Sequence, residues 1–188
     1  MPRSENLHYR FAMTADAPDI ARLHADSWRR HYRGAWSDAF LDHDVEAERL
    51  TVWTERLGTG NPELCTVVAE SGAGSIIGFV HTVLNSDPIW GALVDNLHVA
   101  FDSKNSGIGT RLMAASAETV ITRTPGNGLH LWVLEQNTAA QGFYAARGGR
   151  SVDRRLVPAP GGDPSRLQGH PFGLRIVWPD PATLVGFR

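Results

Sequence analysis

One segment of the chain combines a strand, a short loop and the start of a helix in a way that suits phosphate binding. It runs from Leu97 to Leu112, with Gly107 and Gly109 at the turn into the helix and Lys104 just before it. The first helical turn has unpaired backbone N–H groups and partial positive charge, which bind phosphate readily. The glycines leave room for close approach, and the lysine adds a mobile positive charge. The segment predicts either a pyrophosphate cradle or an ordinary turn into a helix with no ligand.

Two widespread phosphate-binding motifs do not fit the sequence. A P-loop requires Gly-x-x-x-x-Gly-Lys-Ser/Thr, which does not occur. A dinucleotide-binding turn requires a third glycine, but Leu112 stands at that position. Gly72, Gly74 and Gly78 follow a strand, yet the next segment reads as another strand, so these glycines belong to a hairpin. Neither type of nucleotide-binding domain is indicated.

A second segment, from Leu131 to Gly149, adds a buried strand, a turn at Asn137 and a short helix carrying the pair Phe143-Tyr144. Together the two segments resemble the GCN5-related N-acetyltransferase (GNAT) superfamily, whose motif reads Arg/Gln-x-x-Gly-x-Gly/Ala at the start of a helix. Lys104 stands where that motif has arginine or glutamine, which keeps a positive charge. The resemblance extends to about Trp178 through further matches at Arg147-Gly148-Gly149, Ser27-Trp28-Arg29, Tyr32-Arg33-Gly34 and Phe40-Leu41.

The resemblance implies an α/β fold whose central, mostly antiparallel twisted sheet has about seven strands, with helices on both faces. Acetyl-CoA would bind where two neighbouring strands splay apart, here Asp95 to Ala100 and Leu129 to Glu135. The cofactor-binding residues that the resemblance implies are Leu97, His98, Val99, Lys104, Asn105, Ser106, Gly107, Ile108, Gly109, Thr110, Asn137, Phe143 and Tyr144.

The implied reaction is the transfer of an acetyl group from acetyl-CoA to an amine by direct attack. Tyr144 matches the family's usual acid, which returns a proton to the departing CoA thiolate. The base is open among Asp95, His98, His81, Glu135 and water, since an imidazole titrates near neutral pH. Alternation along a strand predicts that Asp95 and His98 face opposite sides of the sheet, so that at most one points at the acceptor.

In the family, the first two helices border the acceptor pocket, which implies Trp28, Tyr32 and Trp36 as acceptor-contacting residues. The loop from Pro158 to Pro171 would shape the same pocket. A small-molecule amine is the first prediction. A protein or peptide amine, a CoA-binding regulatory module without catalysis, and a phosphate-binding domain without acyl chemistry are the alternatives. Family members are often dimers, so the resemblance adds a homodimer as an expectation.

Composition limits the class of protein. A chain of 188 residues with 42% hydrophobic and 20% charged residues fits one globular domain, residues 1–188. A net charge of -2 gives no basic excess for nucleic acid. No apolar run approaches the roughly 20 residues that span a bilayer, no signal-peptide pattern is evident, and the single cysteine, Cys65, cannot form an internal disulfide. The sequence predicts a cytoplasmic protein with no membrane partner, and the histidine spacing predicts no metal site.

Hydrophobic spacing predicts the elements that position these residues. A strand at Leu7–Met13 and two helical regions are followed by three strands, a helix at Gly107–Arg123, a buried strand and a helix at Thr138–Arg147. Two last strands flank the loop rich in proline and glycine. The resulting order βααβββαβαββ predicts a mixed α/β layer fold.

Overall fold

The structure of the chain, a computed structural model, describes residues 7–186. The strands in this part of the chain are β1 (His8–Phe11), β2 (Leu64–Glu70), β3 (Ile76–Asp87), β4 (Gly91–Val99), β5 (Leu129–Leu134), β6 (Arg150–Leu156) and β7 (Phe172–Trp178). The helices are α1 (Ala17–His31), α2 (Val45–Gly58), α3 (Ile108–Arg123), α4 (Thr138–Ala145) and α5 (Ala182–Val185). A π-helical turn at Phe40–Asp44 leads into α2.

The seven strands form one sheet in the order β1-β2-β3-β4-β5-β7-β6. Every neighbouring pair is antiparallel except β4 and β5, which run parallel and are connected through α3. The parallel pairing is short, because it ends where Val94 lies opposite Leu131. The sheet is therefore continuous at one end of β4 and β5 and open at the other.

A β-bulge in β4 coincides with this opening. His81 of β3 pairs with Asn96, but the next residue, Thr82, pairs with Val94, so Asp95 is the extra residue. A bulge bends its strand and increases the local twist. The bulge thus accounts for the departure of β4 from β5 immediately after Val94.

Helices cover both faces of the sheet. On one face α3 and α5 enclose a core that includes Leu112 of α3 and Val67 of β2. On the other face α1 and α2 pack through Ile20 and Trp53 against Val68 of β2. Val67 and Val68 belong to different clusters because successive strand residues point to opposite faces.

The fold class predicted from the sequence is confirmed. The predicted strands at Leu64–Glu70 and Phe172–Trp178 have the observed bounds, and β1 is shorter than the predicted Leu7–Met13. The sequence analysis missed α5, whose Leu184 is buried in the same core as α3. A helix of one turn is too short to show a hydrophobic period.

Candidate active site

A cavity of about 600 Å³ lies where β4 and β5 diverge. Beyond Val94 and Leu131 the facing edges of these strands have no strand partner in the described part of the chain. Backbone N–H and C=O groups on such edges need another partner, and a ligand can provide it. The cavity is lined at one end by the start of α3 and at the other by the last turn of α1.

The start of α3 forms the first end of the cavity. Gly107 caps the helix with φ +83°, and Asn105 also has a positive φ of +61°. Within residues 7–186 the backbone N–H groups of Ile108, Gly109 and Thr110 have no hydrogen-bond acceptor. These donors, together with the helix dipole, form a binding site for an anion such as pyrophosphate.

Gly109 allows α3 and α4 to approach each other beside these donors. A Cβ atom at this position would lie 3.3 Å from the Phe143 ring, closer than ordinary van der Waals contact. Gly107 has a different requirement, because a Cβ there would meet open space but the left-handed backbone favours glycine. The two glycines predicted from the motif therefore serve packing in one case and backbone conformation in the other.

Lys104 adds positive charge at this end of the cavity. Its Nζ lies 2.7 Å from Nε2 of His31, at the end of α1, and both residues line the cavity. Burial, and then the charges of Lys104 and Arg30, lower the pKa of His31. A neutral imidazole can accept a hydrogen bond from the ammonium group, so the pair links α1 to the loop before α3.

Arg147 is a second basic residue at this end, and the sequence analysis gave it no role. Its Nε donates to Thr110 Oγ1 at 3.1 Å, and its guanidinium carbon lies 3.6 Å from the centre of the Phe143 ring. Arg147 lines the cavity beside the unpaired N–H groups of α3. The signal was its place four residues after Phe143, which puts the two side chains on one side of the chain.

Asn137 has a structural duty as well as a place in the cavity. Its Oδ1 accepts a hydrogen bond from the backbone N–H of Ala140 at 3.2 Å and so caps α4. Its Nδ2 has no acceptor among the described residues and can donate to a ligand carbonyl. All the predicted cofactor-binding residues line the cavity except Ser106, whose hydroxyl donates to Ser103 O instead.

Tyr144 lines the cavity from α4 and is only 8% exposed. Burial raises the pKa of its phenol, and nearby Tyr32 raises it further. The Tyr144 hydroxyl is therefore protonated at neutral pH, which suits a proton donor and not a base. Burial, followed by the negative charge of Asp95, likewise raises the pKa of Tyr32, to about 12.

Asp95 and His98 do not lie on opposite sides of the sheet, and the prediction from strand alternation is wrong on this point. Asp95 is ion-paired with Arg56 of α2 at 2.7 Å, and His98 contacts Ser27 of α1, so both side chains meet the layer of α1 and α2. The bulge at Asp95 breaks the two-residue period. Arg56 also donates to Asn96 Oδ1 at 2.9 Å, so it holds both residues of the bulge.

The histidine candidates are poorly suited to accept a proton near neutral pH. His98 lines the cavity, with Nδ1 2.8 Å from Ser27 Oγ, but burial and then His31 lower its pKa to about 3. His81 is fully buried beside Thr66 and outside the cavity, and burial lowers its pKa to about 4. Glu135 also lies outside the cavity, where it is ion-paired with Arg154.

The three aromatic residues implied as acceptor contacts differ in position. Tyr32 lines the cavity, but Trp28 and Trp36 are buried in a separate core cluster and do not. Trp28 stacks on the Tyr32 ring with centroids 5.4 Å apart and so supports it from behind. Ser27 and His31, which also line this end, were missed because their helical spacing had suggested only a packed face.

The fold and this cleft agree with a family comparison. The family described as "Acetyltransferase (GNAT) family" matches residues 21–148. The chain belongs to this family and is an enzyme of the acyltransferase class, so the resemblance inferred from the two motifs is confirmed.

Individual relatives give the same result. A Mycobacterium tuberculosis protein named "Probable N-acetyltransferase Rv2775" is 30% identical over 148 residues, which cover 76% of this chain and 79% of that protein. The fold resembles the PaiA N-acetyltransferase from Thermoplasma acidophilum in complex with coenzyme A, with a TM-score of 0.69, 16% identity, and coverage of 92% and 99%. It also resembles Arabidopsis thaliana NAA60 in complex with acetyl-CoA, with a TM-score of 0.66, 16% identity, and coverage of 92% and 98%.

Two further properties concern the described residues as a whole. None of the helices in residues 7–186 is long and apolar enough to cross a membrane. Nor does this part of the chain gather three histidine, cysteine or acidic side chains in a group able to hold a metal ion.

Proposed function

We propose that this enzyme transfers the acetyl group of acetyl-CoA to a primary amine of a small molecule, by direct attack in a ternary complex. The observation that carries the proposal is the single cavity that joins the α3 N-terminus to Asp95, Tyr32 and Tyr144. An anion site and a set of proton-transfer groups in one cavity are what acyl transfer from a phosphate-bearing donor requires.

The cavity suits acetyl-CoA as the donor. The unpaired N–H groups at the start of α3, with Lys104 and Arg147 beside them, fit a pyrophosphate. The free edge of β4 after Val94 and the Nδ2 of Asn137 fit the amides of a pantetheine arm. Two solved relatives of this fold, from Thermoplasma acidophilum and Arabidopsis thaliana, carry coenzyme A and acetyl-CoA. Acetyl-CoA supplies the acyl group as an activated thioester.

The residues of this chain would divide the proton transfers between them. An amine must lose a proton before or during attack, and Asp95 is the carboxylate in the cavity that can accept it, directly or through water. Tyr144 gives its proton to the CoA thiolate as the carbon–sulfur bond breaks and the carbon–nitrogen bond forms. A backbone N–H on the free edge of β4 can donate to the thioester oxygen.

Direct attack is favoured over a covalent acyl-enzyme. Cys65, the one cysteine of the chain, is buried and lies outside the cavity. Burial raises the pKa of its thiol, which lowers the fraction of nucleophilic thiolate. The cavity therefore offers the amine a path to the thioester without a thiol intermediary.

A small acceptor is favoured by the loops around the acceptor end. The segment after α1 is joined to the loop between β6 and β7 by backbone hydrogen bonds from Ser37 N to Arg166 O and from Gln168 N to Ala35 O, each 2.8 Å. An extended peptide needs an open groove along its length. In the described residues these two loops contact each other directly, so the acceptor would enter as a compact molecule.

Calorimetric titration with acetyl-CoA tests the proposal first. We expect binding by the wild-type enzyme and a loss of about 100-fold or more in affinity for Gly107→Trp, which fills the proposed anion site. Gly74→Trp is the matched control, because Gly74 also has a positive φ and open space around it but lies in the hairpin between β2 and β3. Folded wild-type protein that binds no acetyl-CoA would contradict the proposal.

An acceptor screen then separates the acceptor classes. Acetylation of small amines, without acetylation of peptides that have a free N-terminus, is the expected result. Efficient peptide acetylation would replace the small-molecule acceptor but leave the acetyl donor intact. The single domain over residues 1–188, the homodimer and the cytoplasmic location stay predictions from the sequence.

A further inference from the structure

A second cavity, of about 220 Å³, lies on the far side of α2 from the acceptor end of the active site. It is lined by the end of β1, the end of α2, the start of β2 and one residue of α3. Its walls combine apolar groups, such as Leu57 and Leu64, with two arginines, Arg56 and Arg123. Nothing in the proposed acetyl transfer uses this cavity.

The charges around the second cavity are unbalanced. Arg56 and Arg123 are its charged lining residues, and no carboxylate is among the described residues that line it. Arg123 donates to two neutral groups, Cys65 Sγ at 2.9 Å and Pro62 O at 2.6 Å. In residues 7–186 no carboxylate lies within 4.0 Å of Arg123. Two guanidinium groups thus meet one cavity with donors still available.

We infer that the second cavity binds a small oxyanion, such as inorganic phosphate or a short carboxylate, between Arg56 and Arg123. A guanidinium group has five N–H donors, and its fork matches the spacing of oxygens in a carboxylate or phosphate. The contacts from Arg123 to Cys65 and Pro62 hold its side chain at the cavity in advance. The cavity volume admits an anion of a few heavy atoms and excludes a nucleotide.

Arg56 connects this site to the active site. The same guanidinium is ion-paired with Asp95 at 2.7 Å and bonded to Asn96, the two residues at the β4 bulge. An anion in the second cavity would share the positive charge of Arg56 and weaken its hold on Asp95. Occupancy would therefore alter acetyl transfer through the acceptor step, and this part of the inference rests on the proposed function.

Nuclear magnetic resonance of the arginine Nε–H groups tests the binding site directly. Phosphate is titrated into the wild-type enzyme at constant ionic strength, and the signals are assigned from Arg56→Met and Arg123→Met. We expect saturable shifts of the Arg56 and Arg123 signals, and a rise of about tenfold in the phosphate dissociation constant for Arg123→Met, read from the Arg56 signal. Arg22→Met, which removes an exposed arginine elsewhere on the surface, should leave the constant unchanged.

Phosphate can also bind at the start of α3, and Gly107→Trp distinguishes the two sites. Shifts at Arg56 and Arg123 that persist in Gly107→Trp support the second site, whereas shifts that vanish in this variant overturn it. The absence of any saturable shift at the two arginines in the wild-type enzyme also overturns it. A parallel titration with acetate shows whether the occupant is a phosphate or a carboxylate. None of these readings requires acetyl transfer, so their outcome is independent of the proposed function.

The connection through Arg56 needs a kinetic reading. At saturating phosphate we expect the acceptor KM to change several-fold while the acetyl-CoA dissociation constant is unchanged, and Arg123→Met should remove this response. Unaltered acceptor kinetics at a phosphate concentration that saturates the arginine signals would overturn the connection while leaving the anion site in place.

Discussion

The two ends of the active-site cavity are built from different materials. The cofactor end consists mainly of backbone: three consecutive N–H groups at the start of α3 and the free edge of β4. The acceptor end consists of side chains from α1, α2 and the β4 bulge, namely Tyr32, Arg56 and Asp95. A backbone site keeps its chemistry under many substitutions, whereas a side-chain site changes with each one. The same fold can therefore keep one donor and accept many amines.

The proposed acid stands where the two ends meet, so its loss should have the largest effect. Tyr144→Phe removes the hydroxyl while keeping the buried ring packed against Phe143 and Trp178. We expect kcat to fall about 1,000-fold because the CoA thiolate loses its proton donor. The acetyl-CoA dissociation constant, measured by calorimetry, should change less than about twofold.

Tyr9→Phe is the control for this variant, since Tyr9 lies on β1 outside the cavity. It should keep wild-type kcat. A Tyr144→Phe enzyme with nearly normal kcat would transfer the acid role to another group and remove the meeting point from the comparison.

Asp95→Asn probes the acceptor end alone. The variant leaves Arg56 without its ionic partner and removes the carboxylate that accepts the amine proton. We expect kcat/KM for the amine to fall about 100-fold, while acetyl-CoA binding is unchanged. Steady-state kinetics at varied amine, with calorimetry for acetyl-CoA, separate the two quantities.

Glu135→Gln is a matched carboxylate control, because Glu135 also pairs with an arginine but lies outside the cavity. Its kinetics should equal those of the wild-type enzyme. If Asp95→Asn weakened acetyl-CoA binding as much as it slowed the reaction, the division into a backbone end and a side-chain end would not hold.

Arg147→Met probes the side-chain part of the cofactor end. The variant removes a cation beside the α3 N-terminus and the hydrogen bond to Thr110. We expect acetyl-CoA affinity to fall about tenfold, with kcat at saturating donor unchanged, since charged hydrogen bonds contribute modestly at a partly exposed site. Arg150→Met, on the exposed strand β6, should bind acetyl-CoA normally. Equal affinities in the two variants would leave the cofactor end to the backbone alone.

The same contrast explains what the sequence could predict. The cofactor end was predictable because Gly107 to Thr110 are contiguous, and a strand, a glycine turn and a helix place N–H donors locally. The acceptor end was not, because Arg56 reaches Asp95 only through the packing of α2 on the sheet. Nor does any residue pattern announce the bulge that turns Asp95 toward α2.

The histidines show a second limit of the sequence. An isolated imidazole titrates near neutral pH, which made His98 and His81 reasonable candidates for the base. Their lowered pKa values follow from burial between the sheet and the helices α1 and α2. Burial is a property of the packed fold, so the type of residue alone gave the wrong titration range.

The buried histidines should also make stability depend on pH, an effect on the layer behind the acceptor end. His81 contacts Thr66 and Trp53, and burial, then Arg56, lower its pKa to about 4, against the opposing charge of Asp95. Between about pH 6.5 and 4 the unfolded chain binds a proton at His81 that the folded chain does not. Stability from this group is therefore complete above pH 6.5 and is lost as the pH falls.

His81→Gln, which keeps an amide near Thr66, should flatten this dependence. Between pH 6.5 and 5.5 we expect the wild-type free energy of unfolding to fall by about 1 kcal/mol more than that of the variant, measured by urea unfolding at each pH. His43→Gln, on the exposed surface, should behave like the wild type. Parallel curves for wild type and His81→Gln would mean that His81 takes up a proton in the folded state. The interior behind Asp95 would then be far more polar than its packing against Trp53 implies.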